Sequence, residues 1–329
     1  MNFFLKIFKL LPPEVAHSFS LTSLKILHNL KILHLFTTKI NEKKDIQFAG
    51  MTFKNRLGTA AGLDKNGDYI DALGSLGFGF LEVGTVTPLP QDGNKKPRVF
   101  RNYKEDSIIN RLGFNNKGVD YLVSNLKKKS YKGIIGVNIG ANKNSTGNDR
   151  INDYLICLDK INSYADYITV NISSPNTPNL RDLHNEKNLS NLIHAIDKSV
   201  KNSNIRIPIF LKISPDETDQ TINKIIELVN ASSFSGIIAT NTTINKSNIL
   251  NKNFKLIEGG LSGQPLMDAS TKKLSYIKSK SKGMPLIGVG GVLSKENYDQ
   301  KINAGADLVQ IYTGFIIKGP NLLNDILGN

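Results

Sequence analysis

The chain has 329 residues and a mass of 36.3 kDa, too long for a small disulfide or metal scaffold and long enough for one large domain or two. Apolar residues make up 40% of it, which excludes wholesale disorder, and the single cysteine, Cys157, excludes an internal disulfide, a cysteine zinc site and a cysteine-ligated iron–sulfur cluster. The net charge of +14 is spread along the chain and accompanies a general richness in Lys, Asn and Ile, so it does not mark a nucleic-acid partner.

No run reaches the roughly 18 apolar residues of a membrane span, and the apolar start is broken by Lys6 and Lys9 with no signal-peptide cleavage site. Phe3, Phe4, Ile7, Phe8 and Leu11 recur at helical spacing, Pro12 and Pro13 interrupt, and Phe19, Leu24, Leu27, Leu30 and Leu33 form a second stripe. Two short amphipathic helices are predicted. Residues 1–44 carry seven lysines against two acidic residues, Glu14 and Glu42, a net of +5 beside an oily face. That combination suits an anionic membrane surface, and packing of both stripes on the main domain explains them equally well. Ile46 and Phe48, then Met51 and Phe53 after Ala49-Gly50, alternate as a hairpin does.

From Arg56 onward, eight apolar or β-branched runs alternate with stretches long enough for helices: 56–62, 78–86, 133–140, 167–173, 208–214, 236–241, 285–292 and 308–314. Helical spacing is plain between some of them, as in Leu189, Leu192, Ile193 and Ile196, or Ile222, Ile225, Ile226 and Val229. Near-continuous apolar strands alternating with helices imply a parallel sheet covered on its outer face. Eight such units in about 260 residues are the size of an α/β (β/α)8 TIM barrel. The expected organisation is an N-terminal helical extension over residues 1–44 and one barrel domain over 45–329. Two connections are long, about 46 residues between the second and third runs and about 43 between the sixth and seventh, and extra structure is expected in both: residues 97–110 read as a hairpin around Glu105-Asp106, and 258–266 (EGGLSGQPL) as a Gly-rich loop.

Polar residues follow each strand, in AAGLDKNG, GTVTP, NIGANK, NISSPN, KISPD, ATNTT, GVGG and YTG. In such barrels these ends converge on the face that holds the active site. Gly, Asn and Ser are ordinary turn residues, but turn chemistry does not explain Lys65, Asn138, Asn171, Lys212 and Asn241, whose long polar groups would share one pocket. The absence of a His, Asp and Glu cluster at ligand spacing argues against a metal. Backbone N–H groups of Gly288-Val289-Gly290-Gly291 and Tyr312-Thr313-Gly314 suit a phosphate. A phosphate corner, a lysine able to face an electron-accepting ring and no GxGxxG together suggest FMN.

The motifs AAGLDKNG, EVGTVTP, NRLGFNN, VNIG, NISSPNTP, ATNTT, GGLSG, IGVGG and QIYTGFIIKGP, with PPEVAHSF near the start, resemble the class 2 dihydroorotate dehydrogenases over nearly the whole chain and in the same order. Those are membrane-associated, quinone-using FMN barrels that oxidise dihydroorotate to orotate in pyrimidine synthesis. Departures from the family pattern are confined to loops and helix surfaces, such as 145–149 and 245–253.

The resemblance makes Ser174 the base that takes the C5 proton of dihydroorotate while hydride leaves C6; class 1 relatives carry cysteine there. Serine is a poor base in water, so the site must desolvate it. Substrate contacts implied in the same way are Lys65, the Asn110-Arg111-Leu112-Gly113-Phe114 segment, Asn171, Asn176, Asn241 and Thr242. Flavin contacts are Ala61, Gly62, Leu63, Asp64, Lys65, Thr85, Asn138 and Asn171, continuing with Lys212, Thr240, Gly263, Gly291, Tyr312 and Thr313. Lys212 would stabilise negative charge on the reduced ring. His17 and Arg101 match positions near the quinone head, although His17 taken alone is more often a partly buried helix histidine.

Cys157 sits on a helical pattern and is expected in the core. The partners implied are dihydroorotate and orotate, a membrane quinone and an anionic bilayer, with the protein peripheral on the cytoplasmic face of the cell membrane. A soluble class 1 relative is disfavoured by Ser174 and the N-terminal segment. An RNA-binding barrel is disfavoured by the lack of an appended RNA-binding domain and of a cysteine near a strand end.

Overall fold

The computed structural model describes residues 10–36, 45–177 and 180–328. The first predicted helix therefore lies almost wholly outside the described residues. The second is a single helix, Pro13–Asn29, opened by a proline in its first turn and followed by a 3-10 turn, Leu33–Phe36. Its buried face is Ala16 and Leu21, with Leu24 and Leu27 partly buried, whereas Phe19 and Leu30 point outward at 54% and 62% exposure. This corrects the expected stripe: a helix starting at Pro13 turns Phe19 away from the face that contains Leu21. Lys25 Nζ donates to the Asp68 carbonyl at 2.9 Å, and His28 Nδ1 lies 2.9 Å from Ser75 Oγ. No helix of the described residues is long and apolar enough to cross a membrane.

The hairpin β1 (Ile46–Phe48) and β2 (Met51–Phe53) forms as the alternation predicts. The strands β3 (Leu57–Thr59), β4 (Phe80–Val86), β7 (Ile134–Ile139), β8 (Tyr167–Asn171), β9 (Ile209–Ile213), β10 (Gly236–Ala239), β12 (Leu286–Val289) and β13 (Leu308–Ile311) close into one parallel barrel in that order. Each lies inside one of the eight predicted runs. All are shorter than predicted, and in all but β4 the residues at the C-terminal end leave the ladder to form loops.

Outside the barrel, Leu189, Leu192, Ile193 and Ile196 form the buried face of the helix Glu186–Asn202. Ile222, Ile225, Ile226 and Val229 do the same for Asp219–Asn230. Each such side chain contributes about 1.5–3 kcal/mol by leaving water. Cys157 is buried in this layer, where desolvation pushes its thiol well above its ordinary pKa. Inside the barrel, the hairpin closes the bottom with Phe48, whose ring centroid lies 5.6 Å from that of Phe210, and Phe53, 5.4 Å from Phe80, and Tyr167 packs on Phe210 in turn at 5.6 Å. Gly136 leaves room for this filling: a Cβ there would sit 2.0 Å from the Tyr167 ring.

The connection after β4 folds into the predicted second hairpin, β5 (Val99–Asn102) and β6 (Ser107–Asn110). Against expectation, residues 258–266 are not simply a loop. Gly260–Gly263 is a strand, β11, pairing antiparallel with β6 in a three-stranded sheet, and a 3-10 turn, Gln264–Leu266, follows it. Glycine is required there by close approach, since a Cβ on Gly260 would lie 2.0 Å from Thr242 Oγ1.

Candidate active site

At the C-terminal ends of the barrel strands lies a cavity. Its floor is organised by Glu82, in the middle of β4 and fully buried. Glu82 Oε1 accepts from Asn138 Nδ2 at 2.8 Å, and Oε2 accepts from Gln310 Nε2 at 2.6 Å, Tyr167 OH at 3.0 Å and Thr169 Oγ1 at 3.1 Å. Lys212 Nζ is 3.6 Å from Oε1, so the two charges on this floor face each other as a pair.

A chain of amides rises from this floor. Asn138 Oδ1 accepts from Thr85 Oγ1 at 2.6 Å and from Asn171 Nδ2 at 3.1 Å. Asn171 Oδ1 accepts from Ser173 Oγ at 3.2 Å, and Asn241 Nδ2 donates to Ser173 Oγ at 3.0 Å. Linked in this way, each amide has its oxygen and nitrogen ends assigned, which sets donors and acceptors for a planar polar ligand. Above them Ser174 is 6% exposed, and its Oγ accepts from the Asn176 N–H at 3.3 Å. Asn176 Nδ2 in turn donates to Asn110 Oδ1 at 3.1 Å.

Most of the residues singled out in the sequence meet here. Lys65, Asn110, Leu112, Gly113, Phe114, Asn171, Ser174, Asn176, Asn241 and Thr242 line the cavity, as do Ala61, Gly62, Thr85, Lys212, Thr240, Gly263, Gly291, Tyr312 and Thr313. Four do not. Asn138 stands behind Thr85 and Asn171. Leu63 faces a second cavity. The Asp64 carboxylate turns into its own loop to accept from the N–H groups of Asp68 and Tyr69 at 3.0 and 2.8 Å, and burial raises its pKa to about 6. Arg111 turns out to the Pro97 carbonyl, at 3.0 Å, and to the Phe100 ring. Sequence reasoning missed Glu82 and Gln310. The available signal was a carboxylate between Leu81 and Val83, in a strand buried on both faces and so without a solvent side for it.

The second cavity lies beneath the helix Pro13–Asn29 and is lined mainly by apolar side chains, among them Leu21, Leu24, Leu27, Leu63, Phe315 and Ile316. His17 and Arg101 both border it. Arg101 donates to the Leu11 carbonyl and lies over the Tyr103 ring. Desolvation, reinforced by the neighbouring Lys65 charge, lowers the His17 pKa to about 4. Lys65, Leu112 and Tyr312 belong to both cavities and form the wall between them. Desolvation and then the Arg98 charge bring Lys65 down to about 8, against the opposing pull of Glu14.

A family model described as dihydroorotate dehydrogenase matches residues 44–329. The chain belongs to the dihydroorotate dehydrogenase family. It is 47% identical over 329 residues to a dihydroorotate dehydrogenase (quinone) of Buchnera aphidicola, covering 98% of both chains. With the protein of that name from Haemophilus ducreyi it shares 48% identity over 318 residues, 95% of this chain and 94% of the relative. Among solved structures, a dihydroorotate dehydrogenase of Eimeria tenella in complex with ferulenol superposes with a TM-score of 0.87 at 32% identity, over 95% of this chain and 89% of that one. This family member therefore presents its two cavities on the full-length framework of its relatives.

Proposed function

We propose that the chain oxidises dihydroorotate to orotate, in pyrimidine biosynthesis, and passes the electrons to a membrane quinone. The observation that carries this reading is the shared wall of Lys65, Leu112 and Tyr312 between a polar cavity and an apolar one. A water-soluble reductant and a lipid-soluble oxidant need separate entrances, and electrons must cross a thin partition.

The polar cavity fits FMN. Thr242 and Gln310, both bordering it, each bury an oxygen that has no hydrogen-bond partner, so a polar ligand is called for. Lys212, Thr85, Asn171, Thr240 and Tyr312 would hold the ring system, and the backbone of Gly290, Gly291, Thr313 and Gly314 the phosphate. FMN, when bound, supplies the hydride acceptor. Lys212 places a positive charge in a water-poor site, where it favours an anionic ring.

Around the substrate, Lys65 binds the carboxylate, and Asn110, Asn171, Asn176 and Asn241 bind the amide edges of the ring. Ser174 Oγ takes the C5 proton. Its 6% exposure removes the water that would compete for its lone pairs. His17 and Arg101 face the quinone head in the apolar cavity.

Residues 1–44 form the membrane-facing extension and 45–329 the catalytic barrel. Leu10, Val15, Phe19, Ile26, Leu30 and Leu35 expose a large apolar surface on and beside the N-terminal helix. With the lysines of this segment, that surface supports peripheral attachment to an anionic bilayer on the cytoplasmic side. The test is an anaerobic absorbance spectrum of the purified protein. A flavin band should bleach on adding dihydroorotate and return on adding a quinone; a protein with no such band, or one unchanged by substrate, overturns the proposal.

A further inference from the structure

Behind the Gly290-Gly291 turn lies a buried cation for which the reaction as described has no use. Lys301, on the helix Lys295–Asn303, has 0% exposure. Its Nζ reaches Ser270 Oγ at 2.5 Å, and Ser270, on the helix Met267–Lys280, is equally buried. Ser270 Oγ is in turn 3.0 Å from the Gly290 carbonyl and 3.0 Å from that of Met267. A hydroxyl has one hydrogen to give and two lone pairs to receive with, so it accepts from the ammonium and shares its own hydrogen between the two carbonyls. Two helices and the end of β12 are thus held by a single polar contact. The turn itself has no slack: φ is +114° at Gly290 and +81° at Gly291, and a Cβ on Gly291 would stand 2.4 Å from Met267 Cα.

Charge makes the arrangement more telling than a packing detail. Among the described residues no carboxylate lies within ion-pair distance of Lys301, and the acidic group whose charge it feels, Asp268, is exposed. An ammonium buried without a counter-charge is costly. On the cavity side of the same turn, Gly290, Gly291, Val292, Thr313 and Gly314 border the space assigned above to a phosphate. An anion bound there supplies the charge that Lys301 lacks.

We propose that Lys301 is a positioning residue for the flavin phosphate: through Ser270 it fixes the Gly290-Gly291 turn, and through its charge it favours a dianion on the turn's far side. This rests on the FMN reading, and it implies that the protein selects FMN over the same flavin without its phosphate. Desolvation lowers the pKa of Lys301 to about 7, in keeping with a cation awaiting its counter-charge.

The test compares FMN with riboflavin, which keeps the ring and ribityl chain and lacks the phosphate, by fluorescence quenching on the flavin-stripped full-length protein. In Lys301→Met, which preserves length and removes charge, FMN should bind roughly tenfold more weakly while riboflavin binds as it does to the unmodified protein. Unchanged FMN affinity overturns the proposal, and so does an equal loss for both ligands, which marks a general loosening of the core. Should Lys301→Met fail to fold, Ser270→Ala is measured in the same way, with the same selective loss expected and the same two outcomes against it. An unmodified protein that binds neither flavin overturns the FMN reading itself, whereas one that binds FMN and shows no selective loss in the variant overturns only the role given to Lys301.

Discussion

Glu14 and Arg98 form an ion pair, Oε1 to Nε at 2.9 Å, that ties the N-terminal helix to the segment leading into β5. Arg98 also donates to the carbonyls of Asp92 and Asn94, and Asn94 Nδ2 donates to the Asn176 carbonyl at 3.0 Å. Three side chains, Glu14, Arg98 and Asn94, therefore link the helix over the apolar cavity to the loop that carries Ser174. Both members of the pair act on Lys65, Arg98 lowering its pKa and Glu14 raising it.

Removing the negative member should therefore shift substrate binding along the pH axis. In the role proposed for it Lys65 must be protonated to hold a carboxylate, so KM for dihydroorotate should rise as pH passes about 8, the value to which Lys65 is lowered. In Glu14→Gln the raising influence is gone and that of Arg98 remains, so the rise should begin at lower pH, by roughly half a unit or more. Profiles of kcat/KM between pH 6 and 9 measure this. Coincident profiles would show that Glu14 is only a tether.

Ser174→Ala should leave flavin content and orotate binding intact and slow flavin reduction by about 100- to 10,000-fold, the usual contribution of a general base. Ser174 accepts one backbone hydrogen bond, from Asn176, so its loss leaves a single N–H to be satisfied and little structural damage. Stopped-flow reduction by dihydroorotate is the measurement, and a rate like that of the unmodified protein removes Ser174 from the chemistry.

Lys212 and Glu82 make a pair of opposite expectations. Lys212→Ala removes the positive charge beside the ring and should lower the flavin midpoint potential, whereas Glu82→Gln frees Lys212 from the carboxylate 3.6 Å away and should raise it. A shift of about 30 mV in each direction corresponds to about 1.4 kcal/mol for a two-electron couple. Potentials that move the same way in both variants would mean that packing, and not charge, links this pair to the flavin.

Glu82 also shows where sequence reading stops. The polar strand ends could be read because barrel topology sends all of them to one face, whatever their separation along the chain. Glu82 lies mid-strand, pointing into the barrel, and only the closed structure brings Asn138, Tyr167, Thr169 and Gln310 around it. Asp64 and Arg111 are the reverse case. A motif gives a residue's place along the chain, but the direction of its side chain depends on the local turn, which sends Asp64 to its own loop and Arg111 outward. β11 was hidden because GGLSG has no alternating pattern, and its pairing comes from β6, some 150 residues earlier.

His17 should make the N-terminal helix acid-sensitive. Its pKa is lowered from 6.5 to about 4, so the folded state resists protonation more than the unfolded one does. A depressed histidine gives a contribution fully present above about pH 6.5 and lost as pH falls toward 4, at most roughly 3 kcal/mol over that window. Amide exchange in residues 13–29 should therefore speed up from pH 7 to pH 5 relative to the barrel strands, after correction for intrinsic rates. His17→Gln, which cannot take the proton, should remove the difference; equal acceleration in that variant would assign the effect to another group.

The two half-reactions should come apart when residues 2–40 are removed. Every residue assigned to FMN or dihydroorotate lies after Met51, so reduction of the flavin by dihydroorotate should survive. Reoxidation by a long-tailed quinone should slow greatly, because Ala16, His17, Leu21, Leu24 and Leu27 supply one whole side of the apolar cavity. The deletion also takes away Glu14 and leaves Arg98 beside Lys65, so the reductive half should be assayed near pH 6.5, where Lys65 keeps its proton even with a lowered pKa. Release from anionic vesicles should accompany the loss, since the exposed apolar side chains from Leu10 to Leu35 go with the helix. A short, water-soluble quinone provides the control: needing no apolar route from a bilayer, it should still reoxidise the truncated protein. Full-rate turnover of the long-tailed quinone by a folded truncated protein would show instead that the helix is packing alone and that electrons leave by another face.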